Sequence, residues 1–397
     1  MKKILLATTI LGMSAGFAAA DVAVSGSARM GVVSTDGVAT FSNRVRIKFS
    51  GSGTTDGGLA FGGSFSAQDT AGANAGTAGS TFISGAFGKI TMGGVDSGDA
   101  ASVGQLASVG YTGLGSGNSI SYAADAGGDS GLPGDLTDAA GARVLYTYSA
   151  GALTVNASTA QMTDGGATAY GIGGSYAAGA LTVGVGYGVV DGATIAGIVA
   201  YDSNTANGYA GSTTLPAIAA QTAGWYATSP LDASVTDMSL SASYVTGNTT
   251  IKGIYQTKTL EASAAARTAV AQVVTNGLVA TVAVHGHDAI DLSTTATSMG
   301  LSVVQKMDAL TLTAYGINTT VDADADLSAD NPTVSRYGIG FGYDLGGGAS
   351  VAGGWATVDA LVPAAIAASS PHADDVATYT LTSVSHDQFD LGLNFSF

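Results

Sequence analysis

The chain contains no cysteine, few basic residues and no long hydrophobic run, and each of these shortages excludes a class of protein. Without cysteine, an exported chain has no disulfide bonds, so its stability must come from other interactions. The 13 basic residues stand against 29 acidic ones. This balance argues against nucleic-acid binding, because phosphates are bound by an excess of cations. Past the N-terminus there is no charge-free apolar run of about 18 residues, which excludes a bundle of membrane-spanning helices.

Hydrophobic residues are nevertheless abundant, at 46% of the chain, while charged residues make up only 11%. The hydrophobic residues alternate with small or polar residues instead of forming runs. Successive side chains of a β-strand point to opposite faces, so a period of two predicts strands with one apolar and one polar face. This pattern predicts an all-β protein.

The segment from Phe41 to Phe49 shows the alternation most clearly. One face of the predicted strand carries Arg44, Arg46 and Lys48, and the other carries Val45, Ile47 and Phe49. A ladder of three cations without an acid is unusual in a soluble sandwich. It is expected in a membrane barrel, because the apolar face meets lipid and the charged face lines a water-filled lumen. The segment therefore favours a transmembrane β-barrel.

The first twenty residues have a different character. Lys2 and Lys3 precede an apolar stretch that ends near Ala18-Ala19-Ala20, the pattern of a secretory signal peptide. We predict that residues 1–20 are removed and that residues 21–397 form the barrel. Loss of two of the 13 basic residues leaves 11 against 29 acidic ones, so the net charge changes from −16 to −18.

Alternating segments recur along the mature chain, separated by short turns and by longer loops. They number about sixteen, an even number, as an antiparallel barrel requires when both termini lie on one side. We interpret residues 69–80 as a polar loop, and the Ala-rich residues 264–274 leave room for a short helix. All six prolines are predicted to lie outside strands, since proline cannot donate to the ladder.

The alternation stops between residues 94 and 142. This segment consists mainly of Gly, Ser, Ala and Asp. A segment of this length without regular structure, inside a compact protein, is typical of a functional loop. We therefore predict that residues 94–142 form a functional element of the barrel.

Five stretches resemble, in the same order, the general porins of alphaproteobacteria. They are VSGSARMGV (24–32), SGTTDGGL (52–59), SGAFGKI (84–90), YTYSAGA (146–152) and YDLGGGAS (343–350). The resemblance covers nearly all predicted strands and is weak in the long loops. It implies a trimeric, sixteen-stranded antiparallel barrel in the outer membrane. It also implies that the third extracellular loop, residues 94–142, folds inward and narrows the channel.

In that family an acidic inner loop faces arginines on the barrel wall. The matching wall positions are Arg29, Arg44 and Arg46, to which alternation alone adds Lys48, with Arg143 and Arg336 as further candidates. The candidate loop acids are Asp96, Asp99 and Asp125. Opposite charges across a narrow aqueous slit orient polar solutes and disfavour apolar ones.

The resemblance therefore implies a water-filled channel for passive diffusion, filtered by size and charge, and not an enzyme. The expected partners are small hydrophilic solutes and ions, outer-membrane lipid and lipopolysaccharide, and two further copies of the chain. No cofactor is implied.

The chain ends in alternating apolar residues, Leu391, Leu393, Phe395 and Phe397. A terminal aromatic residue resembles the C-terminal assembly signal of outer-membrane barrels. A last strand facing lipid explains the same pattern, and the two readings are compatible. Phe397 is therefore a candidate assembly signal.

Asp322, Asp324 and Asp326 are spaced so that their carboxylates would be able to gather around calcium. The stretch is not an EF-hand, since Leu327 and Thr333 occupy the positions of the required Gly and Glu. A plain acidic outer loop explains the same residues. Calcium is thus an open alternative.

Two other classes share part of the pattern. A barrel enzyme of the outer membrane would need a histidine such as His285 or His386 near a Ser or Asp at the rim. A secreted surface-layer protein would share the acidic, cysteine-free composition. It would not explain why the apolar faces of the predicted strands carry no cation.

Overall fold

The computed structural model describes residues 21–70, 73–125, 140–162, 168–195, 231–264, 267–275, 278–287, 290–323, 332–364 and 380–397. The predicted signal peptide, residues 1–20, lies outside these ranges. Within them, no helix is long and apolar enough to cross a membrane.

The strands of the first half are β1 (Asp21–Thr35), β2 (Val38–Thr54), β3 (Ala60–Thr70), β4 (Ala73–Gly85), β5 (Gly88–Gly93), β6 (Ala140–Ala150), β7 (Leu153–Met162), β8 (Thr168–Ala178) and β9 (Leu181–Ile195). Those of the second half are β10 (Leu231–Thr246), β11 (Thr249–Ala264), β12 (Arg267–Thr275), β13 (Leu278–His287), β14 (Ile290–Met307), β15 (Leu310–Ala323), β16 (Thr333–Gly346), β17 (Ala349–Ala364) and β18 (Thr380–Ser396).

Sixteen of these strands form a closed antiparallel barrel, as predicted. Neighbours along the chain pair with each other, except that β11 pairs with β14 and the hairpin of β12 and β13 stands between them in the chain. The barrel closes where β1 pairs with β18, from Ser27 opposite Ser396 to Thr35 opposite Gln388. The backbone of Phe397 completes this seam with two hydrogen bonds to Gly26, of 2.6 and 3.0 Å.

On β2, alternation places apolar side chains on the outside of the barrel and basic ones inside. Phe41 and Val45 on β2 are exposed to the surroundings, whereas Arg44 and Arg46 are half-buried. Exposed tyrosines lie close to the short turns at one end of the barrel, namely Tyr148, Tyr176, Tyr244 and Tyr343. Apolar bands flanked by aromatic residues are typical of barrels in the outer membrane.

The two ends of the barrel differ. The end that holds both chain termini carries the short turns after β2, β4, β6, β8, β10, β14 and β16. The opposite end carries the longer connections, the short link between β3 and β4, and a tight turn at Asp36 and Gly37. Both residues have positive φ, 51° and 81°, as an Asp-Gly type I′ hairpin turn requires.

The prediction of a polar loop at residues 69–80 is wrong. β3 continues to Thr70 and β4 begins at Ala73, with Asp69 opposite Asn74. Residues 69–80 are all small or polar, so no apolar face stands out and the alternation signal is lost. The backbone ladder continues because it does not depend on side-chain polarity.

The suggested helix at residues 264–274 is also wrong. Arg267 to Thr275 form β12, which pairs with β13. Thr268, Val270, Val273 and Val274 are β-branched, which disfavours a helix and favours a strand. The Ala-rich composition is therefore overridden by strand pairing.

The placement of prolines is correct for Pro332, which precedes β16, and wrong for Pro363, which lies within β17. Pro363 pairs with Leu381 on β18, while the pairing of β17 with β16 extends only to Val358. On that side the proline therefore interrupts no ladder bond between described residues, as at a sheet edge. The other four prolines lie outside the described residues.

Candidate functional site

The inside of the barrel is partly filled by the segment after β5, here called the inner loop, which is described from Gly94 to Asp125. It contains a short helix, α1 (Gly98–Val103), and a 3-10 turn at Leu114–Ser116. Its apolar side chains form a buried cluster with residues of the wall. The loop contributes Ala100, Val103, Leu106, Val109, Leu114, Ile120 and Tyr122, and the wall contributes Ile254, Tyr315, Ile317 and Ala356.

Helix α1 lies against β7, β8 and β9, and the wall beneath it on β8 and β9 is lined by glycine. A Cβ at Gly173 would lie 2.5 Å from Oγ of Ser102, and one at Gly186 would lie 2.9 Å from Cα of Asp99. Any larger residue would collide with the helix. The glycines that make room for α1 are Gly171, Gly173, Gly184, Gly186 and Gly188.

After α1 the inner loop follows the wall around the barrel. Val103 O accepts hydrogen bonds from Lys252 Nζ on β11, at 2.7 Å, and from Ser241 Oγ on β10, at 3.0 Å. Ala107 N donates to Ser302 Oγ on β14 at 3.3 Å. This outgoing leg therefore crosses one strand of the wall after another.

The tip of the inner loop, Val109 to Thr112, reaches β16, β17, β18 and β1. Here too the wall consists of glycine, at Gly338, Gly340, Gly354, Gly392 and Gly31. Thr112 donates two hydrogen bonds to Asp390 on β18, from N at 2.8 Å and from Oγ1 at 2.6 Å. The tip thus lies flat on the wall beside the barrel seam.

The return leg of the inner loop is bound to the outgoing leg. Gln105 Nε2 donates to Ile120 O at 2.8 Å, and Ile120 N donates back to Gln105 Oε1 at 2.7 Å. Tyr122 OH donates to Gly104 O at 2.6 Å. The two legs therefore form one unit.

The base of the loop is tied to β6. Arg143 donates to Asp125 Oδ1 at 2.7 Å and to the backbone oxygen of Val95. Burial raises the pKa of the Asp125 carboxyl above its usual range, although the Arg143 guanidinium acts to lower it. Arg143 is itself buried, so it serves here as a partner of the loop.

Among the predicted loop acids, Asp99 is fully buried. A Cβ at Gly188 would lie 2.6 Å from Oδ2 of Asp99 and 2.5 Å from Oδ1 of Asp237 on β10, so the two carboxyl groups face the same gap. Burial raises the pKa of Asp99 to about 6, and the Asp237 carboxylate adds to the effect. Asp96, in contrast, is exposed.

The predicted basic wall is formed by β1 and β2. Arg29 lies directly opposite Arg44, Arg46 opposite Ser27, and Lys48 opposite Ser25, nearer the end with the chain termini. Arg46 donates to Gln68 Oε1 on β3 through Nε at 2.8 Å and Nη2 at 2.6 Å. Arg29 Cζ lies 5.8 Å from the ring centre of Tyr111, at the tip of the inner loop.

The order of the strands places the basic wall across the barrel from helix α1. Along the closed barrel, β9 is eight steps from β1 in either direction, half of the sixteen strands. The wall that holds α1 and Asp99 therefore lies across the lumen from Arg29 and Arg44.

Comparison with known proteins decides the family. A family model described as "Gram-negative porin" matches residues 7–361. The chain belongs to the Gram-negative porins. The porin of Rhodobacter capsulatus is 33% identical over 386 residues, which cover 95% of this chain and 100% of that protein. This protein is therefore an outer-membrane porin, and its family points to a channel rather than an enzyme.

Solved structures share the fold of this porin. A porin structure refined at 1.8 Å resolution is 28% identical, with a TM-score of 0.59, and the match covers 95% of this chain and 100% of that one. OmpT of Vibrio cholerae, in a trimer form, has a TM-score of 0.61 at 15% identity, covering 96% and 100% of the two chains.

The remaining candidates are only partly described. Asp322 lies on β15, while Asp324 and Asp326 fall outside the described residues, so the calcium site stays a prediction. No group of three or more His, Cys, Asp or Glu residues able to hold a metal was found in the described part of the chain.

The two histidines considered for an enzyme lie in different places. His285 lies on β13. His386 Nδ1 lies 2.7 Å from Oδ2 of Asp36. The hydrogen bond with His386 holds the pKa of Asp36 below its usual range.

Sequence reasoning missed several residues that position the inner loop of the porin. These are the inward-facing glycines and two buried wall carboxylates, Asp237 and Asp390. The glycines do leave a signal: in the segments around Gly171 and Gly186, glycine occupies the lumen positions in alternation with outward apolar residues. Repeated glycine on one face of a strand marks a close approach by other backbone.

Proposed function

We propose that this porin passes small hydrophilic solutes and ions by passive diffusion, with a filter between the inner loop and the basic wall. The observation that carries the proposal is the position of the loop. It is packed on the wall opposite Arg29 and Arg44, and its tip contacts Arg29 through Tyr111. The passage is therefore narrowed beside a cluster of cations.

The filter acts through charge as well as width. Half-buried guanidinium groups at Arg29, Arg44 and Arg46 produce a positive potential that a low-dielectric wall strengthens. Water and polar solutes orient in such a field, whereas apolar solutes must give up hydration to cross. Small anions and zwitterions should pass the wall more easily than apolar solutes of equal size.

The loop acids contribute unequally to this filter. Asp96 is exposed, and the side chain of Asp125 is 33% exposed while paired with Arg143. Asp99 has no exposed surface and acts on solutes only through its effect on loop position. We therefore assign the negative side of the field to Asp96 and Asp125, with Lys48 extending the basic side.

We further propose that the porin is a homotrimer whose outer face contacts lipid and lipopolysaccharide. The apolar outer surface supports the lipid contact, and the trimer form of OmpT from Vibrio cholerae supports the assembly. Phe397 is the proposed assembly signal. Its exposed ring lies over Gly26 at the barrel seam, where a Cβ on Gly26 would collide with it.

The experiment is to reconstitute the purified, full-length protein into planar lipid bilayers. We expect stable conductance steps that close in groups of three, together with permeation of small sugars in a liposome-swelling assay. Silence at high protein load, with a folded barrel shown by heat-dependent gel mobility, would contradict the channel function. Steps of a single size that never group would contradict the trimer. Calcium chelation tests the site at Asp322, Asp324 and Asp326 in the same assay.

A further inference from the structure

Two aspartates on the lumen wall, Asp237 on β10 and Asp390 on β18, contact the inner loop near its base and at its tip. Both are buried, with 1% and 0% of their surface exposed, so neither faces a passing solute. We propose that they are positioning residues, two carboxylate anchors that hold the inner loop against the wall. The inference rests on the proposal that this loop narrows the pore.

Asp390 anchors the tip. Its Oδ2 accepts the hydrogen bonds from N and Oγ1 of Thr112, at 2.8 and 2.6 Å. Gly110 adopts a φ of 77°, and a Cβ at this position would collide with the carboxylate of Asp390. Glycine at position 110 is therefore what allows the loop to approach this anchor.

Asp237 anchors the base. Its Oδ1 accepts a hydrogen bond from Ala123 N on the return leg at 2.7 Å, and its Oδ2 accepts one from Gln256 Nε2 at 3.2 Å. Asp99 on the outgoing leg faces the same gap as this carboxylate. Lys258 on β11 supplies positive charge nearby. One wall residue is therefore bonded to the return leg and lies beside the outgoing leg.

The Asp390 anchor also reaches the basic wall. Tyr111 lies between Gly110 and Thr112, and its ring packs on Gly392 and beneath Arg29. A shift of the tip would remove this ring from Arg29. Asp390 thus acts on the filter through the loop, without touching the solute.

Buried carboxylates are costly when they lack hydrogen bonds, and bonds to a charged acceptor are stronger than neutral ones. In the described part of the protein, the side chain of Asp390 is bonded to Thr112 alone, and its Oδ1 has no partner. Its hydrogen bonds therefore serve the loop and not a neighbouring strand. A residue needed only for the barrel would be bonded to a neighbouring strand and not to the loop.

Because the chain has no cysteine, a single introduced thiol can report release of the loop. Val109 is 2% exposed and packs on Gly340, whereas its neighbour Ser108 is exposed. The full-length porin carrying Val109→Cys is reacted in detergent with a small maleimide. Ser108→Cys gives the rate for an accessible thiol in the same segment.

We expect Val109→Cys to react at least about tenfold more slowly than Ser108→Cys, and Asp390→Ala to raise its rate to near that of the control, since local opening governs access. Asp387→Ala is the matched variant. Asp387 is an exposed acid on the same strand, facing away from the lumen. The Asp387→Ala variant removes the same charge as Asp390→Ala and should leave Val109→Cys protected from the maleimide.

At the base of the loop the reporter is Ser102→Cys, on the face of α1 that is buried against the wall, with the exposed Ala101→Cys as its control. Asp237→Ala should raise the labelling rate of Ser102→Cys and change the labelling rate of Val109→Cys less.

Thr112→Val tests the tip from the loop side, because it removes one of the two donors to Asp390 without altering the barrel. We expect an intermediate rate.

Heat-dependent gel mobility shows whether each variant barrel is folded. The anchor at the tip is overturned if Val109→Cys stays protected from the maleimide in a folded Asp390→Ala barrel. If the Asp390→Ala barrel does not fold, the same result in Thr112→Val overturns it. Single-channel conductance of the same variants separates the two proposals. Faster labelling with an unchanged conductance supports the anchors and contradicts the narrowing of the pore by the loop.

Discussion

Arg29 and Arg44 lie directly opposite each other on β1 and β2, so two guanidinium groups share one patch of the lumen wall. The Nε atoms of both are buried, and neither has a hydrogen-bond partner among the described residues. Like charges at opposed strand positions destabilise a sheet. This porin therefore retains a local cost in stability at the place where a charge filter needs positive potential.

Arg44→Ser should stabilise the barrel while weakening the filter. Removal of one of the two opposed cations relieves their repulsion, which is worth about 0.2–1 kcal/mol for a cross-strand pair. The measurement is the free energy of unfolding in urea of the detergent-solubilised porin. Arg46→Ser is the control, because Arg46 is bonded to Gln68 and its loss should destabilise the barrel. Equal changes in the two variants would refute the repulsion.

Gly173→Val should displace helix α1 from the wall. A Cβ at this position would lie 2.5 Å from Oγ of Ser102, and valine adds two further methyl groups. We expect a changed single-channel conductance with an intact barrel. Gly174→Val is the matched control, since the nearest atom to its Cβ would be Thr154 O at an ordinary 3.5 Å. Identical conductance in the two variants would show that the glycine wall does not hold the helix.

Loop docking should weaken as pH rises. Burial and the Asp237 carboxylate raise the pKa of Asp99 from its ordinary 3.8 to about 6, so the folded porin binds this proton more tightly than the unfolded chain. The contribution to stability is therefore full below about pH 4 and is lost as pH passes about 6. We expect the difference in thermal midpoint between wild type and Asp99→Asn to change over this interval.

The control for this pH dependence is Asp96→Asn, an exposed acid of the same loop. This variant removes one acidic group from the loop without opening the buried gap beside Asp237. If the difference in midpoint between the wild type and Asp99→Asn stays constant between about pH 4 and 7, Asp99 does not hold an additional proton in the folded porin.

The barrel is predictable from the sequence because one local rule covers most of it. Val45 faces outward and Arg44 inward because successive side chains of a strand point to opposite faces. Lipid outside and water inside then require apolar and polar residues to alternate in the sequence. The rule fails where a strand carries small or polar residues on both faces, as around Asp69, and where proline lies at the edge of the described ladder, as at Pro363.

The interior arrangement is not predictable in this way. Thr112 and Asp390 are 278 residues apart, and no periodicity links a loop to a wall position. Asp99 is predicted to face the pore because it is an acidic residue of the inner loop. The glycines of β8 and β9 instead leave space for its side chain to be buried against the wall. The glycine pattern indicates where the loop approaches, but the choice of Asp237 and Asp390 as its partners depends on the folded structure.

The most direct test of a basic passage is the reversal potential of the porin in a planar bilayer under a salt gradient, for the wild type and for Arg44→Ser/Arg46→Ser. We expect the double variant to shift towards cations by at least about twofold in permeability ratio. Lys306→Ser, an exposed cation near a short turn, should cause no comparable shift. An unchanged reversal potential in the folded, conducting double variant would contradict a filter formed by this wall.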